Sequence, residues 1–81
     1  MNLPIRDFEK AREVFDDPLQ ISQLDFRFNY REEQWITLGA AKTRKILVVA
    51  NLFFSDDGRE IIRIISAREA NKQEVQTYET Y

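Results

Sequence analysis

The sequence predicts an α+β domain in which a helix precedes an antiparallel meander of three or four strands, and a second helix ends the chain. Three observations predict this fold. Apolar residues recur at helical spacing near the N-terminus, three apolar segments separated by short polar turns follow, and the last segment is polar with helical spacing. At 81 residues the chain is expected to be a single domain, residues 1–81, with one modest core.

The first helix is predicted in the segment RDFEKAREVFDDP. Asp7 suits the N-cap position, and Phe8, Ala11 and Val14 recur at the spacing of one helix face. Pro18 indicates where the helix stops, because the residue before a proline is disfavoured in the helical region.

The segments EQWITLGAA, KILVVANLFFS and REIIRIIS predict the three strands of the meander. The turns between them contain AKTRK and SDDG, which are short and rich in turn-forming residues. The middle strand is apolar on both faces, as expected for a central strand covered on both sides. A further short strand or extended edge is expected near residues 25–30, where apolar residues alternate weakly.

The second helix is predicted to begin at Ser66, because the sequence S-A-R-E fits a capping box formed by Ser66 and Glu69. Its expected inner side is unusually polar and includes Glu74, which needs a partner if it is buried. That inner side comprises Ala67, Ala70, Asn71, Glu74, Tyr78 and Tyr81.

The third predicted strand contains an arginine, Arg63, among isoleucines. Alternation places Ile62 and Ile64 on one face, where the first helix can bury them, and Arg63 on the other. The residues that alternate with Arg63 on its own face are Arg59, Ile61, Ile65 and Ala67. Two interpretations are open: a structural ion pair, for example with Glu74, or a cation held in place for function.

Composition excludes several kinds of site. The chain has no cysteine and no histidine, so it has no disulfide, no thiolate nucleophile and no imidazole for acid–base chemistry or metal binding. The net charge of −2 argues against broad attraction to nucleic acid, although Lys42, Arg44 and Lys45 form a local basic cluster. That cluster is either a solvated hairpin turn or a contact for a polyanion. There is no signal-peptide pattern and no apolar run long enough to span a bilayer, so a cytoplasmic location is expected.

Two blocks of sequence resemble, in order, the BrnT family of ribonuclease toxins, and the resemblance covers roughly residues 7–80. The first block has the pattern F-E-x-A-x-x-V-F-x-D-P, here Phe8, Glu9, Ala11, Val14, Phe15, Asp17 and Pro18. The second has the pattern R-I-I-S-A-R-x-A with a glutamate and a tyrosine further on, here Arg63, Ile64, Ile65, Ser66, Ala67, Arg68, Ala70, Glu74 and Tyr78.

The resemblance implies a RelE-like α+β fold and an endoribonuclease that cuts RNA without metal or other cofactor. It also implies inhibition by a DNA-binding antitoxin of the ribbon-helix-helix class. On this interpretation Arg63 and Arg68 clamp the phosphate, since the planar guanidinium donates two parallel hydrogen bonds. Glu33 is the candidate base, and Tyr78 is a candidate acid or base-stacking surface. Lys42, Arg44 and Lys45 would follow the RNA backbone.

The sequence also departs from the family pattern. Family members usually carry a segment with Trp-Asp and Lys-His-Gly before the Phe-Glu block, whereas this sequence begins MNLPIRDFEKA. Glu33 is followed by Gln34 where an arginine is frequent, and NLFFSDDG replaces a Thr-Glu-Arg run. Exposed Phe53 or Phe54 would suit a protein contact. The alternative function is therefore a weak or inactive toxin homologue that binds an antitoxin or forms a homo-oligomer. An unrelated scaffold domain is the third possibility.

Overall fold

A computed structural model describes residues 8–25 and 33–81, and it shows the predicted α+β arrangement. One four-stranded antiparallel sheet has the strand order β1-β2-β3-β4. The predicted cap residue Asp7 and residues 26–30 of the possible early strand lie outside the described residues. The elements are α1 (Phe8–Glu13) with a following 3₁₀ turn (Val14–Asp16), β1 (Ile21–Leu24), β2 (Trp35–Ala40), β3 (Ile46–Asp56), β4 (Arg59–Glu69) and α2 (Lys72–Thr80).

The main core lies between α1 and one face of the sheet, called here the α1 face. Val14 is fully buried against this face, where a Cβ atom added to Gly39 would lie only 2.6 Å from Val14 Cγ1. Glycine at position 39 therefore allows the close approach of the 3₁₀ turn to β2. The buried cluster comprises Ala11, Val14, Ala41, Leu47, Val49 and Ala67, with Phe15 and Ile64 packed against it.

A short polar chain crosses the same face. Asn51, the residue that interrupts the apolar run of β3, is fully buried and accepts a hydrogen bond of 2.8 Å from the Thr37 hydroxyl. The Thr37 hydroxyl is also hydrogen-bonded to Ser22, at 2.7 Å. These side chains tie β1, β2 and β3 together, because each residue belongs to a different strand.

A β-bulge changes the faces of β4. Ala50 pairs with Ser66, but the next residue of β3, Asn51, pairs with Ile64, so Ile65 is an extra residue in β4. The alternation predicted for β4 is correct up to the bulge, since Ile64 packs on the α1 face and Arg63 lies on the other. Beyond the bulge it is wrong.

The error concerns Ala67, which was expected on the same face as Arg63. Ala67 pairs with Val49 and belongs to the buried cluster on the α1 face. Arg68, its neighbour in β4, therefore lies on the opposite face, called here the α2 face, together with Arg63.

The prediction that the second helix begins at Ser66 is also wrong. β4 continues through Ser66 to Glu69, and α2 begins only at Lys72. The helix is capped by Asn71, whose side chain accepts from the Glu74 amide at 2.9 Å while the Glu74 carboxylate accepts from the Asn71 amide at 2.9 Å. The capping box therefore exists, but it lies five residues further along the chain and uses Asn71 and Glu74.

Candidate functional site

A cleft of about 510 Å³ opens on the α2 face, between the start of α2 and the sheet. Its floor is apolar, because Ile36 and Val48 contribute side chains from the two central strands. Its polar wall includes a cation from β4 and a carboxylate from α2. The lining residues are Gln23, Leu24, Asp25, Ile36, Val48, Arg68 and Glu74.

Arg68 and Glu74 form a bidentate ion pair in this cleft. The two guanidinium nitrogens of Arg68 donate to the two carboxylate oxygens of Glu74 at 2.8 Å and 2.7 Å. One of these nitrogens also donates to the Glu69 carbonyl at 3.2 Å. The side chains are 41% and 25% exposed, respectively, so the pair is only partly screened by water. Glu74 thus has the partner that the sequence required, and it holds the guanidinium of Arg68 in a defined position.

The side chain of Arg63 is exposed on β4 and forms no hydrogen bond or ion pair with residues 8–25 or 33–81. The ion pair with Glu74 that the sequence allowed is not formed, because Glu74 is bound to Arg68. Arg63 pairs across the ladder with Leu52, whereas Arg68 pairs with Val48. These two partners are four positions apart in β3, which places the arginine backbones roughly 13 Å apart on the same face.

Glu33 lies near the Arg63 end of the sheet. It is exposed and lines a shallow depression with Leu52, Phe53 and Phe54. Leu52 is also the cross-strand partner of Arg63, so Glu33 and Arg63 lie at the same end of the sheet.

Tyr78 is held at the opposite end, by Asp17. The Tyr78 hydroxyl donates a short hydrogen bond of 2.5 Å to Asp17 Oδ2, which also accepts from the Ala40 amide at 2.8 Å. The Leu19 amide donates to Asp17 Oδ1 at 2.9 Å. The carboxylate therefore joins α2, β2 and the segment after the 3₁₀ turn, and the name Asp17 clamp is used below for Asp17 with these three donors.

The Asp17 clamp changes the acidity of both of its ionisable groups. The hydrogen bond to Asp17, with burial and the nearby negative charge, raises the pKa of Tyr78 to about 12. Burial alone would raise the pKa of Asp17, but the hydrogen bonds from Tyr78, Ala40 and Leu19 together outweigh burial and lower it. Around neutral pH the phenol is thus protonated and donates to a carboxylate.

The basic cluster lies where the sequence predicted it, in the turn between β2 and β3. Lys42, Arg44 and Lys45 are all exposed, and Arg44 adopts a left-handed backbone conformation with φ of 70°. The ammonium group of Lys45 forms an ion pair of 3.0 Å with Glu69, the neighbour of Arg68 in β4. The turn is thereby joined to the end of β4 that carries the cleft arginine.

The four candidate catalytic residues therefore occupy three places rather than one. Arg68 lines the cleft, Arg63 and Glu33 lie towards the distal end of the sheet, and Tyr78 is bound to Asp17. Sequence reasoning did not assign a functional role to the other polar residues of the cleft. The signal for Glu74 was present, because this glutamate is part of the second motif. Gln23 and Asp25 gave no signal, since they lie on a short strand and at its end.

Within residues 8–25 and 33–81, no cluster of carboxylates could hold a metal ion. Within the same residues, no helix combines the length and the apolar character needed to cross a bilayer.

A family model described as the ribonuclease toxin BrnT of type II toxin–antitoxin systems matches residues 6–74. The chain belongs to this family. The resemblance found in the sequence is thus confirmed, and the family implies that the chain has an antitoxin partner. The matched region contains Arg63, Arg68 and Glu74 but ends before Tyr78. A search of curated proteins found no match.

Proposed function

We propose that this chain is an endoribonuclease toxin that cleaves RNA with its own arginine and carboxylate side chains, without a metal ion. The ribose 2′-oxygen attacks the adjacent phosphorus, the bond to the 5′-oxygen of the next nucleotide breaks, and the products carry a 2′,3′-cyclic phosphate and a 5′-hydroxyl group. The observation that carries the proposal is the placement of Arg63 and Arg68 on one face by the bulge at Ile65.

Arg68 is the residue best placed to bind the reacting phosphate. Its guanidinium lies in the wall of a cleft with an apolar floor, where a charge-assisted hydrogen bond is stronger than in bulk water. Glu74 restricts the rotamers of Arg68 before RNA binds, so less side-chain entropy is lost on binding. Glu74 is therefore proposed as a positioning residue for Arg68.

Arg63 is proposed to bind a second phosphate of the same RNA strand. A backbone separation of roughly 13 Å is large for two arginines that share one phosphate, but it suits two phosphates along an extended strand. Glu33 lies at the Arg63 end and remains the candidate base for the 2′-hydroxyl group. Lys42, Arg44 and Lys45 are proposed to contact the RNA backbone beyond the cleft.

Tyr78 is proposed to have a structural role, holding α2 in place, rather than to be the proton donor of the reaction. A phenol with a pKa of about 12 is a weaker acid than an ordinary tyrosine, and its proton is already donated to Asp17. The same hydrogen bond fixes the helix that carries Glu74. Stacking of a base on the half-exposed ring is the other role that the sequence suggested.

The experiment is RNA cleavage by the purified chain in EDTA, followed on a labelled RNA together with detection of the cyclic phosphate end. Arg68→Ala is expected to lower the cleavage rate at least 100-fold, about 2.7 kcal/mol of transition-state stabilisation. Arg12→Ala is the matched control, because Arg12 is an exposed arginine on α1, on the other side of the sheet. Circular dichroism must show that each variant is folded.

A specific observation favours a second candidate function, which is binding without catalysis. Phe53 and Phe54 are both exposed, as expected for a surface that contacts a protein. If the wild-type chain leaves RNA intact in EDTA and with added Mg²⁺, yet binds its antitoxin with nanomolar affinity, the ribonuclease proposal is refuted and the binding function replaces it. Equal cleavage rates for wild type and Arg68→Ala would refute only the role of Arg68 and not the ribonuclease function itself.

A further inference from the structure

The far end of the β3–β4 hairpin extends beyond the rest of the sheet. The pairing between β2 and β3 stops at Trp35 and Asn51, whereas β3 and β4 continue to the turn at Asp57 and Gly58. This distal ribbon comprises residues 52–56 and 59–64. It exposes an unusual amount of apolar surface, since Phe53, Phe54, Ile61 and Ile62 are 37–41% exposed, and Ile65 at the bulge is 44% exposed. A long apolar edge strand of this kind favours pairing with another chain.

The turn determines which backbone groups of β4 point outward. Asp57 and Gly58 both have positive φ, 51° and 78°, and they separate the directly paired residues Asp56 and Arg59, as in a two-residue hairpin loop of type I′. The pair that closes such a loop is hydrogen-bonded, and the pairs alternate from there. The N–H and C=O groups of Glu60, Ile62 and Ile64 therefore point away from β3.

Those outward groups have no partner among residues 8–25 and 33–81, because β4 is the last strand of the sheet. The outer edge of the ribbon thus offers three regularly spaced donors and acceptors. The bulge at Ile65 ends the regular edge, so a partner strand of about five or six residues would fit.

The charges of the ribbon indicate what such a partner carries. Arg59 lies opposite Asp56 in the ladder, but Arg63 lies opposite Leu52 and has no ion pair with any described residue. A second copy of the chain paired on the same edge would not supply the missing acid. Glu60 is the acid of this half of β4, and it lies on the α1 face, whereas Arg63 lies on the α2 face.

We propose that the outer edge of β4, residues 59–64, binds an extended segment of the antitoxin as a fifth strand of the sheet. The segment has apolar residues that cover Ile61 and Ile62, and it places a carboxylate beside Arg63. The existence of the partner follows from the family. One consequence rests on the proposed ribonuclease function: the carboxylate competes with an RNA phosphate for Arg63, which makes docking inhibitory.

Residue-resolved hydrogen exchange tests the proposal, with the full chain alone and in complex with its antitoxin. In the free chain the amides of Glu60, Ile62 and Ile64 are expected to exchange fast, and those of Ile61 and Arg63 slowly, because only the latter donate to β3. The complex should slow exchange of the three outward amides at least tenfold.

Two results would overturn the proposal. One is a tight complex in which the three outward amides exchange as fast as in the free chain, which would place the antitoxin elsewhere. The other is a chain that is dimeric by analytical ultracentrifugation and protects the same amides without antitoxin, which would make a second copy the occupant. Neither result depends on RNA cleavage. If the chain fails to cut RNA but its three outward amides exchange more slowly in the antitoxin complex, the fifth strand is supported. Only the proposed competition between the carboxylate and RNA for Arg63 is then refuted.

Variants separate the backbone contact from the charge. Ile62→Pro removes one outward donor without removing a bond to β3, and it is expected to weaken antitoxin binding at least tenfold while RNA cleavage is retained. Ile62→Val, which keeps the amide, is the matched control. If the proline variant is unfolded by circular dichroism, Arg63→Glu provides the test, with Arg12→Glu as the control. Unchanged affinity in Arg63→Glu would refute the role of the carboxylate.

Discussion

The Asp17 clamp gives the sharpest test of how the second helix is held. α2 is short and polar, with none of its residues fully buried, so apolar packing contributes little to its position. The hydrogen bond from Tyr78 to Asp17 joins its last turn to the segment that leads into the sheet. Tyr78→Phe removes this bond and keeps the ring, and Asp17→Ala removes all three bonds of the clamp.

The magnitude follows from the kinds of hydrogen bond involved. A bond to a charged group contributes about 1.5–3 kcal/mol, and the partial exposure of Tyr78 favours the lower end, so Tyr78→Phe is expected to cost about 1.5 kcal/mol. Asp17→Ala should cost about 3 kcal/mol, since water can replace part of the exposed bond to Leu19. For a domain of this size the tyrosine change corresponds to a fall in melting temperature of roughly 6–12 °C.

The assay is urea unfolding of wild type, both single variants and the double variant, followed by far-ultraviolet circular dichroism. Because both substitutions break the same bond, Tyr78→Phe should cost almost nothing once Asp17 is already alanine, which gives a coupling of about 1.5 kcal/mol. A coupling close to zero would refute the clamp as an energetic link between α2 and the sheet. Thr80→Ala is a control, since its hydroxyl donates within the helix, to the Gln76 carbonyl at 2.8 Å.

Three further predictions concern pH and packing. The pKa of Tyr78 in the folded chain is raised to about 12 from its ordinary value of 10.0, so the stabilisation by its hydroxyl is complete below pH 10 and is lost as the pH rises towards 12. The difference in the free energy of unfolding between wild type and Tyr78→Phe should therefore shrink over that pH range. The folded pKa of Asp17 is lowered, so its contribution is present above the ordinary value of 3.8 and is lost as the pH falls below it, a loss that Asp17→Asn should not show. Gly39→Ala should lower the free energy of unfolding by about 1–3 kcal/mol, because the new Cβ would lie 2.6 Å from Val14 Cγ1. The same substitution should cost less in a chain that already carries Val14→Ala, because the clashing methyl group is then absent. Additive effects of the two substitutions would contradict the close contact.

The sequence predicted the meander because each of its strands carries a strong local signal. Apolar segments of suitable length are separated by short turns, and the two-residue turn at Asp57 and Gly58 fixes the last hairpin. The early strand was harder to place. β1 comprises only Ile21–Leu24 and lies before the range that weak alternation suggested.

The start of the second helix could not be predicted locally, because the chain contains two sequences that fit a capping box. Ser66 with Glu69 and Asn71 with Glu74 both have the required spacing. The choice is made by long-range contacts, since residues 66–69 pair with β3 and the Ala70 amide donates to the Ile46 carbonyl at 2.9 Å. Tertiary pairing thus outweighs the first capping signal.

The partner of Glu74 could not be predicted for the same reason, because it depends on where β4 ends. The sequence showed that this glutamate needs a cation, but a regular strand followed by a helix from Ser66 would have put Arg68 within the helix itself. Only the longer strand places Arg68 in the wall of the cleft, where Glu74 reaches it from α2.

The bulge at Ile65 explains the spacing of the two arginines in the second sequence motif. Arg63 and Arg68 are five positions apart, an odd number, and in an unbroken strand an odd separation puts two side chains on opposite sides. Homologous sequences in which these arginines are four or six positions apart should therefore form an uninterrupted strand, and those in which they are five positions apart should keep the extra residue. Deletion of Ile65 alone would therefore leave the two arginines four positions apart in an unbroken strand, with both side chains still on the α2 face.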